Sequence, residues 1–161
     1  MPCFPSRFRR GLAVAYQGSH GRSFLDPRRI VIVDDDDCVR EAMEMSLTGA
    51  GHQVRSTASG EEALAWLDAE PCDLLIIDYS MPEIDGPTLY RRVLKRWPVA
   101  GPRILFVSGY AEFGDEHDPE ILAIPRLHKP FNLGELFWMV TCLLTPIDAG
   151  QLAGDDPRPI R

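Results

Sequence analysis

Asp73-Leu74-Leu75-Ile76-Ile77-Asp78-Tyr79-Ser80-Met81-Pro82-Glu83-Ile84-Asp85-Gly86 decides the fold of this chain. An apolar run drives into a single aspartate, and turn-forming residues follow at once. A run this short falls below the usual length of a helix and reads as a strand buried on both faces. In open α/β sheets, ligands bind just outside the carboxyl ends of strands, so Asp78 stands where chemistry is expected. A second apolar run, Ile30-Val31-Ile32-Val33, ends the same way, in Asp34-Asp35-Asp36-Asp37. Two buried strands that deliver acids to one sheet edge make a hard-cation site, because Mg²⁺ takes oxygen ligands in octahedral geometry.

Outward from these runs, strand and helix signals alternate from Arg29 onward, which implies a parallel sheet covered on both faces. The first strand spans Arg29 to Val33. Asp36 or Asp37 caps a helix to about Ala50, with Val39, Met43, Leu47 and Ala50 inward and Gly51 as its C-terminal glycine. A second strand covers about His52 to Thr57. Ser59-Gly60-Glu61-Glu62 reads as a capping box opening the next helix, which carries Ala63, Leu64 and Leu67. The third strand is Asp73 to Ile77. Gly86-Pro87 starts a helix with Leu89, Val93 and Leu94, stopped by Pro98. The fourth strand is Arg103 to Val107. One short helix is expected in the acidic segment Glu112 to Ala123, and a short fifth strand near Arg126 to His128. Asn132-Leu133-Gly134-Glu135 is a second capping box, and its helix carries Leu133, Leu136, Phe137, Val140, Leu143 and Leu144 up to Pro146. Five strands alternating with five helices fit a doubly wound, flavodoxin-like (βα)5 sandwich with sheet order 2-1-3-4-5. Its switch point lies between strands 1 and 3, the two that end in Asp34-Asp35 and Asp78.

The 161 residues, 45% of them hydrophobic, suit one domain with tails. Residues 1–28 are expected to form a disordered basic leader, a reading preferred over a transit peptide, and 146–161 a polar tail around a domain at 29–145. The net charge of −7 argues against general nucleic-acid or anionic-membrane binding, which needs clustered Lys and Arg. No apolar stretch reaches the length of a membrane span. The cysteines, Cys3, Cys38, Cys72 and Cys142, show no metal-like or disulfide-like spacing. The last three read as small core residues, in keeping with a reducing cytoplasm. His20, His52, His117 and His128 share no spacing, and Trp66, Trp97 and Trp138 read as packing residues.

Val33-Asp34-Asp35, Asp78 with Met81-Pro82 and Asp85-Gly86, Ser108-Gly109-Tyr110 and Lys129-Pro130-Phe131 stand in an order and at intervals that resemble the receiver domains of response regulators, over Arg29 to about Thr145. The resemblance implies that Asp78 is a phosphoryl acceptor, attacking a phosphohistidine to form an acyl phosphate. It implies that Mg²⁺ is held by Asp35, Asp78 and the Ser80 backbone carbonyl, with Asp34 reaching it through water. Ser108 would hydrogen-bond the phosphoryl group, and Lys129 would stabilise it as a point charge, commonly before a cis Lys-Pro bond. The implied partners are a histidine kinase or a histidine phosphotransfer protein, with a downstream protein reading the signal. Dimerisation occurs in the family, but nothing in this sequence supports it.

One departure from that pattern and two further features shape the expectations. The aromatic residue that often stands three positions before the family lysine is Arg126 here, so Tyr110 or Arg126 becomes the candidate that couples the site to an output face. The Ser108-Gly109-Tyr110-Ala111-Glu112 run resembles receivers attached to hybrid histidine kinases more than those of DNA-binding regulators, and the domain as a whole resembles receivers of hybrid histidine kinases or stand-alone single-domain response regulators. The residues after Thr145 are too few for a DNA-binding domain, so no output domain is expected in this chain. Two other functions compete. A pseudo-receiver binding its partner constitutively would normally lack one of the key residues, and none is lost. A haloacid-dehalogenase-like phosphatase would need a second aspartate two residues after Asp78, where Ser80 stands.

Overall fold

Short β-branched and leucine-rich runs dictate the centre of the molecule. In the computed structural model, which describes residues 27–98, 101–109 and 118–145, they form the three central strands of a five-stranded parallel sheet in the order β2-β1-β3-β4-β5, with more polar strands at its two edges. The strands are β1 (Arg29–Val33), β2 (Gln53–Thr57), β3 (Leu74–Asp78), β4 (Arg103–Gly109) and β5 (Arg126–Lys129). The helices are α1 (Asp37–Gly49), α2 (Gly60–Ala69), α3 (Gly86–Arg96), α4 (Pro119–Leu122) and α5 (Leu133–Leu144). The expected topology is therefore the observed one. The leader (apart from residues 27–28), the tail, Tyr110 and the first part of the acidic segment lie outside the described residues.

Alternate residues of a strand face opposite sides of a sheet. Ile30, Ile32, Leu74, Ile76, Leu105 and Val107 thus join one core with Met43 and Leu47 of α1 and Leu136, Met139 and Val140 of α5. Val31, Val33, Leu75, Ile77 and Phe106 join the other with Leu64 and Leu67 of α2, Leu89 and Val93 of α3 and Ile121 of α4. β3 is buried along its whole length, as a central strand covered on both faces should be.

Local chemistry sets the helix ends, with some corrections to the sequence reading. Asp36, not Asp37, caps α1, accepting from the Cys38 and Val39 amides. Ala50, expected inward, is the exposed C-cap, and Gly51 takes the left-handed φ of 93° that follows it. Cys38, expected in the core, is exposed in the first turn, while Cys72 and Cys142 are half-buried. At α2 only half of the expected capping box forms. Ser59 Oγ accepts from the Glu62 amide, but the Glu62 carboxylate accepts from Thr57 Oγ1 instead of turning back to the Ser59 amide. At α5 both halves form between Asn132 and Glu135, and Leu133, in the first turn, is exposed. α3 ends at Arg96 because the residue before Pro98 is disfavoured in helical conformation.

Candidate phosphoryl and metal site

Strand register alone assembles the site. Asp78 at the end of β3 pairs with Val107 of β4, Ser108 is the next residue along, and Gly109 pairs with Lys129 of β5. β1 lies on the other side of β3 and delivers Asp34 one residue past Val33. Oxygens of Asp34, Asp35 and Asp78 lie within 4.8 Å of one another. Asp34 and Asp78 are buried and Asp35 is exposed.

Lys129 Nζ lies 2.7 Å from Asp78 Oδ1 and 2.9 Å from Asp34 Oδ2. Burial favours the neutral amine, but the hydrogen bonds and charges of Asp78 and Asp34 outweigh it and hold the Lys129 pKa above its ordinary value. The peptide bond from Lys129 to Pro130 is cis, as the family pattern leads one to expect. One ammonium facing three carboxylates leaves the cluster two charges negative when all are ionised, which suits a divalent cation with oxygen ligands. The Ser108 hydroxyl is fully buried and has no hydrogen-bond partner among the described residues. Burying a hydroxyl without a partner is costly, which makes Ser108 a candidate donor at the carboxyl end of the sheet. Ser108→Ala should therefore leave the unmodified protein as stable as wild type or up to about 1 kcal/mol more stable, in urea unfolding, while weakening retention of any phosphoryl group. A clear loss of stability would mean that the hydroxyl already has a partner.

The acidic run is divided by task. The Asp34 carboxylate accepts from the Asp36 amide at 2.9 Å through Oδ1 and faces Lys129 through Oδ2. Its backbone carbonyl accepts from Arg40 Nη1 at 2.8 Å, and its amide donates to the Thr57 carbonyl at 3.2 Å. Asp36 caps α1, and Asp37 pairs with Arg40 Nη2. Asp35 is left at the surface facing solvent.

The loop after Asp78 is equally constrained. Tyr79 donates its amide to the Val107 carbonyl, and Gly86 donates back to the Tyr79 carbonyl at 2.9 Å. Met81 and Ile84, read from sequence only as turn residues, are buried and pin the loop to the core between β3 and α3. Ser80 lies exposed at the start of this loop, and Glu83 adopts a φ of 69°. A Cβ on Gly86 would meet the Asp78 carbonyl at 2.6 Å and Tyr79 Cα at 2.9 Å, both backbone atoms. Gly86→Ala should therefore cost about 1–3 kcal/mol in urea unfolding and weaken cation binding through the shift forced on Asp78; unchanged values in both would show that the loop yields freely.

Of the coupling candidates, Arg126 lies on β5, opposite Phe106 of β4. Its Nη2 donates to the Leu122 carbonyl at 2.6 Å, at the C-terminal end of α4. Arg91 of α3 pairs with Asp118, the N-cap of α4, at 2.8 Å. His128 is half-buried on β5 as the register partner of Ser108, and Trp66, Trp97 and Trp138 are partly buried against the two cores.

Comparison with known proteins agrees with this geometry. The family model of the response regulator receiver domain matches residues 30–141. The chain belongs to the response regulator receiver family. Receivers are signalling domains of two-component systems and interact with histidine kinases or phosphotransfer proteins. This receiver is 36% identical over 122 residues to the sensor kinase CckA of Brucella abortus, covering 74% of the chain but 13% of that kinase. It is 34% identical to the response regulator receiver protein CpdR of the same organism, covering 68% of the chain and 90% of CpdR. It spans about half or less of the transcriptional regulators it also matches. The structure of the Thermotoga maritima response regulator TrrA in complex with Mg²⁺-BeF superposes with a TM-score of 0.63 at 30% identity, covering 73% of this chain and 99% of that one. Among the described residues no helix is long and apolar enough to cross a membrane.

Proposed function

We propose that this receiver accepts a phosphoryl group on Asp78, in a Mg²⁺-dependent transfer from the phosphohistidine of a histidine kinase or phosphotransfer protein. The observation that carries the reading is the buried Asp78 carboxylate at the end of β3, held 2.7 Å from Lys129 and clustered with Asp34 and Asp35. Asp35, Asp78 and the Ser80 carbonyl would hold the cation, and Asp34 would reach it through water. Bound there, Mg²⁺ supplies charge neutralisation for the phosphoryl oxygens.

The remaining chemistry belongs to the chain. A carboxylate oxygen of Asp78 attacks phosphorus, the O–P bond forms, and the P–N bond breaks with its electron pair leaving on the histidine. Lys129, its pKa raised by the two aspartates, stays an ammonium and carries its charge to the transferred group. Ser108 donates its unpartnered hydroxyl to a phosphoryl oxygen. The added charge on Asp78 shifts the contacts of Lys129 and Ser108, and so biases the β4–α4–β5 side, where Arg126 and Arg91 grip the two ends of α4. A second protein reads that change.

The test is intact mass after incubation with Mg²⁺ and a small acyl-phosphate donor. Wild type should gain one phosphoryl group, and Asp78→Asn should gain none. Equal gain in both places the acceptor elsewhere. No gain in wild type, with a matched histidine kinase also failing, would favour a constitutive binding module.

A further inference from the structure

We infer that Arg40 is a positioning residue for the cation site, fixing the backbone that aims Asp35. The inference rests on the metal-site reading above and extends it to a side chain that would touch neither metal nor phosphoryl group. Arg40 lies on α1, six residues after Asp34 and largely buried, with a side-chain exposure of 16%. Its guanidinium spans the β1–α1 turn. Nη1 donates to the Asp34 carbonyl at 2.8 Å, and Nη2 pairs with the Asp37 carboxylate. That carbonyl belongs to the peptide unit joining Asp34 to Asp35. Holding it fixes the plane from which the Asp35 side chain departs, because the peptide group is rigid.

Asp35 needs such help more than its neighbours. The Asp34 carboxylate is pinned by the Asp36 amide and Lys129, and Asp36 is committed to the helix cap. Asp78 is held at the end of a buried strand. Asp35 is exposed, so its placement depends on the turn. A planar guanidinium holds its donors in a fixed fork, so it sets the geometry between the carbonyl and the Asp37 carboxylate, whereas an ammonium's donors rotate freely. Asp37, at the solvent end, keeps the fork from swinging away.

Electrostatics acts in the opposite direction, which makes the inference decidable. A cation beside an acidic cluster repels Mg²⁺, so by charge alone its removal would tighten binding. By positioning, its removal loosens Asp35 and weakens binding; partners outside the coordination sphere are typically worth at least tenfold in metal affinity.

The experiment is a Mg²⁺ titration of the 161-residue wild type, Arg40→Gln and Arg40→Lys by calorimetry, followed by phosphorylation by an acyl-phosphate donor across Mg²⁺ concentrations. The expected result is a dissociation constant about tenfold higher in Arg40→Gln, with the phosphorylation rate at saturating Mg²⁺ within about twofold of wild type. A merely structural defect would lower that plateau rate instead. Equal or tighter Mg²⁺ binding in Arg40→Gln overturns the inference. Arg40→Lys keeps the charge and loses the fork. If Arg40→Gln fails to fold, Arg40→Lys decides by the same criterion, weaker binding supporting positioning and unchanged binding overturning it. Failure of wild type to bind Mg²⁺ would overturn the site reading and this inference with it, whereas wild-type binding matched by the variants overturns this inference alone.

Discussion

Lys129→Met should lower the stability of the metal-free protein by about 3 kcal/mol and slow phosphorylation of Asp78 by about a hundredfold or more. Methionine keeps much of the apolar stem and removes the charge, so the effect reports the ammonium rather than the packing. Without it, Asp34 and Asp78 lose the ammonium they share, and removing one partner of a buried ion pair costs several kcal/mol. The figure is set at the low end of that range because the lysine side chain is itself 25% exposed. Urea unfolding with and without Mg²⁺ separates the terms. A cation bound only by the folded state stabilises it, and it relieves the same carboxylates, so the gap between variant and wild type should narrow in Mg²⁺. Equal stability of the two proteins in chelator would show that the aspartates need no partner.

The same ion pair fixes a pH dependence. The Lys129 pKa is raised above 10.5 in the folded protein. A raised base contributes stability that is fully present below its unfolded pKa and is lost as pH climbs through the folded one. Wild type should therefore lose this contribution only above about pH 10.5, and Lys129→Met should lack that alkaline step.

The three inner strands of the sheet were legible because they are short, apolar and closed by turn residues, and a buried strand has few alternatives. The three acids, Ser108 and Lys129 were legible because strand ends meet at one edge, so position along the chain translates directly into position in the site. What escaped depends on side chains crossing between elements. Ser59 and Glu62 have the spacing of a capping box, but Thr57 offers the carboxylate a buried hydroxyl and takes it. Cys38 stands near the start of an amphipathic helix that follows an apolar strand, yet it falls on the solvent side of the first turn. Met81 and Ile84 sit among turn residues and are buried all the same. Arg40 has no sequence signal beyond its place on the first turns of a helix whose start holds the acids. Its importance lies in a carbonyl that pattern reading does not see.

Phe106→Ala should cost about 4 kcal/mol, a large share of the stability of a domain this size. Phe106 is fully buried in β4, on the α2–α3–α4 face of the sheet. Its ring meets Tyr79 edge-on at 5.6 Å and Tyr90 at 6.1 Å, and its Cε1 would lie 3.2 Å from a Cβ on Gly86. The ring is thus the floor under the loop that carries Ser80 and under the residue that follows Asp78. Truncation removes both the buried area and the edge-to-face contacts, and the residual cavity adds to the loss. Leu105→Ala provides the comparison. Leu105 is also fully buried, but it belongs to the opposite face, against α1 and α5. It should cost about 2–5 kcal/mol and leave the loop floor in place. Measured at a temperature where both variants remain folded, Mg²⁺ affinity should fall in Phe106→Ala and hold near wild type in Leu105→Ala. A parallel fall in both would mean that cation binding follows global stability. A fall in the first alone would tie the geometry of the acid cluster to the one aromatic ring beneath it.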